Sequence, residues 1–155
     1  MNAIIRKAVV SDSSEIFRLV NSNLDDYFAP EVIDFFLMQW PDGQLLATDY
    51  CGNPIGVLIG ARLSGNRATI SLLAVESGVR SKGIGSALID RFRQECLMNG
   101  ISMIQLEVRT TNDGAIAFYK KHGFSIIETL DDYYNDGGSA YRMSSPVFGR
   151  TDQAF

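Results

Sequence analysis

The segment from Val79 to Ala87 constrains the fold more than any other part of the chain. It follows an aliphatic run with strand character at residues 68–75, and apolar side chains at helical spacing continue from Ile84. A strand, a short loop with glycines and a helix form a phosphate-binding geometry, because glycines allow a tight turn and the helix start presents unpaired N–H groups. A glycine pair at a helix start is equally common as plain turn chemistry, so both interpretations stay open at this point.

Two common nucleotide-binding motifs are excluded by the residues of this loop. It lacks the Gly-Lys-Ser/Thr ending of a Walker loop, and it lacks the third glycine that a dinucleotide fingerprint requires. Arg80 and Lys82 nevertheless bring positive charge to the loop. The sequence therefore predicts a pyrophosphate site of another kind.

The composition indicates one globular domain. The chain has 155 residues, of which 46% are hydrophobic and 21% charged. This length is enough to bury a core without disulfides or structural metal ions. Its net charge of −4 gives no general attraction to nucleic acid or anionic lipid and favours cationic partners. No apolar run is long enough to span a membrane, and the first residues lack the layout of a signal peptide. We expect a soluble, cytoplasmic protein with neither nucleic acid nor membrane as partner.

Neither a disulfide framework nor a metal site is expected. Cys51 and Cys96 lie far apart in the sequence and His122 is the single histidine, so clustered ligands are lacking. The position of His122 beside Gly123 predicts a cap in the last turn of a helix rather than a catalytic group.

Hydrophobic periodicity and turn residues predict one mixed α/β sheet. The predicted strands are residues 2–10, 44–49, 54–62, 68–75, 101–109, 124–130 and 139–147. Four helices are predicted. The first follows the capping cluster 11–14 and the second runs from Glu31 to Gln39. The third begins near Ile84, and the fourth follows the cap at 110–113. Inward-facing residues are predicted to be Val32, Phe35, Phe36 and Trp40 in the second helix and Ile84, Leu88, Ile89, Phe92, Cys96 and Leu97 in the third. The strands on either side of the third helix should be parallel neighbours.

Two spaced motifs resemble those of the GNAT superfamily of acetyl-CoA-dependent N-acetyltransferases. The first is Arg80-Ser81-Lys82-Gly83-Ile84-Gly85, which fits that superfamily's Arg/Gln-x-x-Gly-x-Gly/Ala. The second runs from Asn112 to Phe124 and resembles its Asn-x-x-Ala-x-x-(Phe/Leu)-Tyr-x-x-x-Gly-Phe. The likeness is closest to RimI-like and archaeal-type protein N-terminal acetyltransferases, through Leu106-Glu107-Val108-Arg109 and the pair Tyr133-Tyr134.

The resemblance extends from about Ile4 to Val147 and implies a particular fold. The GNAT fold is an α/β (α+β) arrangement with a single mixed, mostly antiparallel sheet of about seven strands. Helices cover both faces, and two central parallel strands splay apart. We expect this domain at residues 1–148 and a C-terminal tail at 149–155.

The resemblance also implies a reaction. An acetyl group would pass from acetyl-CoA, leaving CoA, to the α-amino group of a protein or peptide N-terminus by direct attack in a ternary complex. Such a transfer needs a neutral amine, an oxyanion stabiliser and a proton for the departing thiolate. An α-amine with a pKa of about 8 is neutral roughly a tenth of the time at pH 7, whereas a lysine amine is neutral less than about a thousandth of the time. An α-amine therefore needs only a weak base to take up its proton.

The family positions assign the proton acceptor to Glu107, acting through water, and the general acid to Tyr119. Each residue also has a plainer interpretation, since Glu107 could pair with a neighbouring lysine or arginine and Tyr119 could belong to the core. The oxyanion donor is expected to be a backbone N–H near Val75.

The resemblance implies two sets of binding residues. Expected acetyl-CoA contacts are Leu73, Val75, Arg80, Ser81, Lys82, Gly83, Ile84, Gly85, Ser86, Asn112 and Tyr119. Expected acceptor contacts are Tyr27, Phe28, Glu107, Tyr133 and Tyr134. Tyr27 and Phe28 could equally plug the edge of the core, and Asn112 would also suit as a helix N-cap. The aromatic loops are acidic, which would steer a cationic amine inward, through Asp25, Asp26, Glu31, Asp131, Asp132 and Asp136.

Two alternatives to this function stay open. One is acetylation of a lysine or a small polyamine, and the other is a CoA-binding interaction module that has lost turnover. The sequence does not predict which N-terminal residue is preferred, the selectivity for an α-amine over a lysine, the oligomeric state, or the need for an auxiliary subunit.

Overall fold

The computed structural model of the protein describes residues 3–80 and 82–148. Its strands are β1 (Ile4–Lys7), β2 (Gln44–Thr48), β3 (Pro54–Arg62), β4 (Arg67–Val75), β5 (Met103–Arg109), β6 (Ser125–Leu130) and β7 (Ala140–Pro146). Its α-helices are α1 (Ser13–Asn23), α2 (Pro30–Gln39), α3 (Ile84–Met98) and α4 (Asp113–Lys121). All predicted elements are confirmed, although β1 is shorter than predicted because a 3-10 turn begins at Val10. Asn2 and the predicted tail at 149–155 lie outside the described residues.

The strands form one seven-stranded sheet in the order β1-β2-β3-β4-β5-β7-β6. β4 and β5 are parallel and are paired over Arg67–Thr69 and Met103–Gln105. The pairs β1–β2, β2–β3, β5–β7 and β6–β7 are antiparallel. The expected mixed, mostly antiparallel sheet with a central parallel pair is therefore confirmed. In the described part of the chain, no helix combines the length and apolar character needed to cross a membrane.

The chain divides into two compact units. The first consists of Met1–Arg62 and Ile70–Glu95, and the second of Leu63–Thr69 and Cys96–Phe155. In the first unit β3 is covered on both faces. One face lies in a core cluster formed by Val57 and Ile59 with Ile16, Leu19 and Val20 of α1 and Ile33 and Leu37 of α2. On the other face α3 comes so close that a Cβ added at Gly56 would lie 2.9 Å from Ile84.

The inward face of α2 differs from the prediction. Ile33, Leu37 and Trp40 are buried, whereas Phe35 keeps 66% of its surface exposed and Val32 is also exposed. The prediction was wrong for Val32 and Phe35, because α2 is apolar around most of its circumference. It is confirmed for Trp40, which is buried, and for Phe36, which packs against the core cluster. A smaller error of the same kind occurs in α3, where Leu97 is half exposed although the rest of the predicted stripe is buried.

The second unit is built around β5 and β7. Ile104, Leu106 and Val108 on alternate positions of β5 are buried, so the intervening residues Gln105 and Glu107 share the opposite face. β7 lies between β5 and β6, and β6 is the edge strand. This arrangement fixes which side chains meet Glu107.

Candidate active site

The loop before α3 has the geometry of an anion site. Gly83 has φ of +85°, a left-handed conformation that favours glycine, and a Cβ there would meet nothing within 4 Å. Its carbonyl oxygen accepts a hydrogen bond from the N–H of Ala87 at 3.0 Å, which places the first turn of α3 immediately after it. Backbone N–H groups in the first turn of a helix generally lack an acceptor within that helix, so a loop of this kind suits an anion. Ile84 is buried, Lys82 is exposed, and Ser81 lies outside the described residues.

Arg80 holds this loop to the rest of the first unit. Its Nε donates to the carbonyl oxygen of Val75 at 3.0 Å, and its Nη2 donates to the side chain of Asn23 at 3.1 Å. The guanidinium thus bridges the end of β4 and the end of α1. The side chain of Asn23 also donates to Glu76 at 2.9 Å, which ties the same two elements together a second time.

Leu73 and Val75 lie on the half-buried face of β4. Their neighbours Leu72 and Ala74 point into the core cluster of the first unit. Because side chains alternate along a strand, Leu73 and Val75 face the opposite way. The carbonyl oxygen of Val75 accepts a hydrogen bond from Arg80. The oxyanion and pantetheine contacts of this strand end stay predictions.

Glu107 is paired with an arginine. The Nε of Arg142 donates to its Oε2 at 2.8 Å, and Nε2 of Gln105 approaches the same oxygen at 3.5 Å. The ion pair that was the plainer interpretation of Glu107 is therefore present. It does not exclude a catalytic role, because both contacts use one carboxylate oxygen.

Tyr119 is packed among aromatic rings on α4. Its ring centroid lies 5.7 Å from that of Phe124 and 5.3 Å from that of Phe118, both in edge-on arrangements. Burial raises the pKa of the Tyr119 hydroxyl well above its ordinary value. The hydroxyl therefore stays protonated throughout the neutral range and acts there as a hydrogen-bond donor.

The two ends of α4 behave as predicted. The side chain of Asn112 accepts a hydrogen bond from the N–H of Ala115 at 3.1 Å, which makes it the N-cap. His122 is the C-terminal cap residue and is buried, with its ring centroid 4.6 Å from that of Phe118. The cap predicted for His122 is confirmed.

The loop with Tyr133 and Tyr134 is held by Arg109. The guanidinium carbon of Arg109 lies 4.0 Å from the centroid of the Tyr134 ring, and its Nη1 donates to Asp136 at 3.1 Å. The two tyrosine rings are 5.0 Å apart and nearly perpendicular. Burial and the nearby charge of Glu107 raise the pKa of Tyr133, while Arg142 opposes the shift. Tyr133 and Glu107 therefore act on each other electrostatically.

Tyr27 and Phe28 differ in environment. Phe28 packs against the core cluster, and its backbone N–H and carbonyl both bond to the side chain of Asn21, at 2.8 and 2.9 Å. Tyr27 keeps 70% of its surface exposed and touches Phe17 edge-on at 6.1 Å. The interpretation of these residues as a plug for the core edge holds for Phe28 and is wrong for Tyr27.

Comparison with known proteins identifies the family. The model of the acetyltransferase (GNAT) family matches residues 10–124, which is most of the chain. The chain belongs to the GNAT family.

Individual relatives of this GNAT chain cover almost all of it. N-alpha-acetyltransferase 30 of Dictyostelium discoideum is 31% identical over 141 residues, which cover 88% of this chain and 75% of the relative. The crystal structure of Ard1 from Thermoplasma volcanium is 35% identical with a TM-score of 0.90, covering 94% of this chain and 98% of that one. A chain of the NatC complex bound to Gag peptide and CoA is 25% identical with a TM-score of 0.86. The match covers 94% of this chain and 99% of that one. The GNAT fold inferred from the motifs is confirmed.

The sequence did not predict the contacts of two arginines of this GNAT chain. Arg142 contacts Glu107, and Arg109 contacts Tyr134 and Asp136. Arg109 was visible as the last residue of the Leu-Glu-Val-Arg motif, but its partner lies in a loop. Arg142 carried no signal in the sequence, because only the pairing register of β7 places it opposite Glu107.

Proposed function

We propose that this protein transfers the acetyl group of acetyl-CoA to the α-amino group of a protein or peptide N-terminus. The observation that carries the proposal is the likeness over 88% of the chain to an N-alpha-acetyltransferase. The site adds support, since a carboxylate at Glu107 and a hydroxyl at Tyr119 that stays protonated are the two groups that such a transfer uses. The NatC complex, one chain of which is similar to this protein, is bound to Gag peptide and CoA, the two kinds of ligand that the proposed reaction brings together.

The donor would be bound by the loop before α3. The N–H groups at the start of α3 and the positive end of its dipole suit the pyrophosphate of CoA, and Lys82 adds an exposed positive charge. Arg80 acts on the loop itself, because its described hydrogen bonds go to Val75 and Asn23. We therefore assign Arg80 to holding the loop in shape.

The acceptor amine would attack the thioester carbonyl carbon, which forms the new C–N bond and then breaks the C–S bond. Glu107 accepts the proton that the amine loses, through a water molecule. Tyr119 donates a hydrogen bond to the departing sulfur. Because a thiol has a pKa of about 8.5 and the pKa of Tyr119 is raised far above that, hydrogen bonding to the thiolate is favoured over complete proton transfer. This refines the general-acid role predicted for Tyr119.

A peptide that carries both a free N-terminus and an internal lysine tests the function. Incubated with acetyl-CoA and analysed by fragmentation mass spectrometry, it should gain one acetyl group on its α-amine. A library that varies the first residue then identifies the preferred acceptor. Modification of the lysine alone would contradict the proposal in favour of a lysine acetyltransferase, and absence of CoA release across the library would favour a binding module.

Two conservative substitutions test the assigned roles. Glu107→Gln and Tyr119→Phe should each lower kcat on the best library peptide by about a hundredfold, the lower range for loss of a proton-transfer group. The Kd of acetyl-CoA, measured by calorimetric titration, should stay within about twofold of the wild type for Glu107→Gln. Full activity of both variants from pH 6 to pH 9 would refute the assignment.

A further inference from the structure

Three charged side chains form a row across neighbouring strands of the second unit. Arg142 on β7 is the register partner of Glu107 on β5 and also of Glu128 on β6. Its Nε donates to Glu107 at 2.8 Å and its Nη1 donates to Glu128 at 3.0 Å. One guanidinium therefore binds two carboxylates, one on each side.

The two ends of this row differ in exposure. The side chain of Glu107 is 17% exposed and that of Arg142 is 29% exposed, whereas the side chain of Glu128 is 49% exposed. Charges attract more strongly where less water screens them, so the Arg142–Glu107 contact is the stronger of the two. Glu128 is the outer partner and restrains the guanidinium from the solvent side.

The contacts at Glu107 single out one oxygen of its carboxylate. Arg142 and Gln105 both approach Oε2, so in the described part of the chain Oε1 is the oxygen left to accept a proton. An arginine is suited to this task, because its planar fork fixes the orientation of the group that it binds and it stays charged at every working pH. A carboxylate on a flexible side chain would otherwise sample several rotamers, most of them unproductive for proton transfer.

We propose that Arg142 is a positioning residue that holds the carboxylate of Glu107 in its working orientation, with Glu128 fixing Arg142 in turn. The inference rests on the proposed function, in which Glu107 accepts the proton of the amine. Tyr133 lies near the same pair, since burial and the charge of Glu107 raise its pKa while Arg142 lowers it.

A double-mutant cycle on the full chain tests this positioning role. Arg142→Gln should lower kcat about tenfold on the best library peptide in the wild-type background and leave it unchanged in the Glu107→Gln background. Arg142→Lys should give an intermediate kcat, because lysine restores the charge without the fork. The Kd of acetyl-CoA should change less than twofold in each variant. Arg6→Gln is the matched control, because Arg6 also pairs with a carboxylate, that of Asp12, which has no proposed role in the reaction.

Each outcome of the cycle separates the two proposals. An equal loss of kcat from Arg142→Gln in both backgrounds, or no loss in either, would overturn the positioning role and leave the role of Glu107 intact. Wild-type kcat in Glu107→Gln alone would refute the role of Glu107 itself. Thermal unfolding of every variant identifies loss of fold, and if Arg142→Gln does not fold, the cycle is run with Arg142→Lys.

Discussion

The carboxylate of Glu107 is bound by the guanidinium of Arg142, a residue 35 positions further along the chain. The motif around Glu107 identified the residue but not its neighbour. Which cation approaches depends on how β7 is aligned with β5, and neither strand contains that information by itself. The environment of a site residue is therefore harder to predict than its identity.

Gly60 gives a test of packing at a single residue. A Cβ at this position of β3 would overlap the ring of Phe92, with Cζ at 2.7 Å, and would lie 3.1 Å from the carbonyl oxygen of Gly43. Gly60→Ala should therefore lower the free energy of unfolding by roughly 1–3 kcal/mol, the usual cost of overpacking. Chemical denaturation monitored by circular dichroism measures the change.

Gly78→Ala is the control for this substitution. A Cβ at Gly78 would meet nothing within 4 Å, so the free energy of unfolding should stay within about 0.5 kcal/mol of the wild type. Equal effects of the two substitutions would contradict the packing argument.

At the scale of secondary structure, the cap residues were easier to predict than the buried faces. α4 begins and ends at the residues that its sequence indicated, because Asn112 and His122 act through local chemistry. The buried face of α2 was predicted only in part, because apolar residues such as Phe35 also occupy its exposed side. Where a helix is apolar all round, only its packing partners decide which face turns inward.

The N-cap of α4 provides a test at this scale. Asn112→Ala removes the acceptor of the Ala115 N–H and should lower the free energy of unfolding by about 1 kcal/mol. Asn112→Asp keeps an oxygen at the same place and should keep the stability. Thermal and urea denaturation of both variants check the prediction, and equal stability of the two would contradict it.

The same pair of variants separates the cap from the predicted coenzyme contact. Aspartate brings a negative charge toward the phosphates of acetyl-CoA, so Asn112→Asp should bind acetyl-CoA more weakly than the wild type if Asn112 touches the coenzyme. Unchanged affinity in a calorimetric titration would confine Asn112 to its role as a cap.

For the whole molecule, the two motifs were enough to predict the family and the type of sheet. They could not give the place of Arg142 or the exposure of Tyr27, because both depend on contacts between segments remote in sequence. N-terminal acetylation, which the resemblance implied, agrees with the name of a relative that matches 88% of the chain, an N-alpha-acetyltransferase.

Acid unfolding tests the electrostatics of the whole chain. Hydrogen bonds hold the pKa of four carboxyl groups below the ordinary value, those of Asp12, Asp49, Glu76 and Asp136. A lowered pKa in the folded state contributes stability above the unfolded pKa of about 4, and this is lost as the pH falls through the folded value. The free energy of unfolding should therefore decrease between about pH 5 and pH 2.

Asp12→Asn isolates one member of this set. Arg6, the main cause of the lowered pKa of Asp12, donates to both of its oxygens, at 2.9 and 2.8 Å. The variant should be less stable than the wild type by about 1 kcal/mol at pH 7, and the difference should vanish near pH 2. Urea denaturation at a series of pH values measures it, and a difference that grows on acidification would contradict the assignment.

The row formed by Glu107, Arg142 and Glu128 also affects the register in which β6 pairs with β7. β6 is an edge strand whose residues are almost all exposed, so apolar packing alone specifies its alignment weakly. The register of β6 on β7 shifts between Ile126 and Glu128, and this irregularity brings Glu128 opposite Arg142. A slip by one residue would turn Glu128 to the other side of the sheet and leave the guanidinium with a single partner. The two charge pairs therefore favour the observed alignment of β6 over one slipped by a residue.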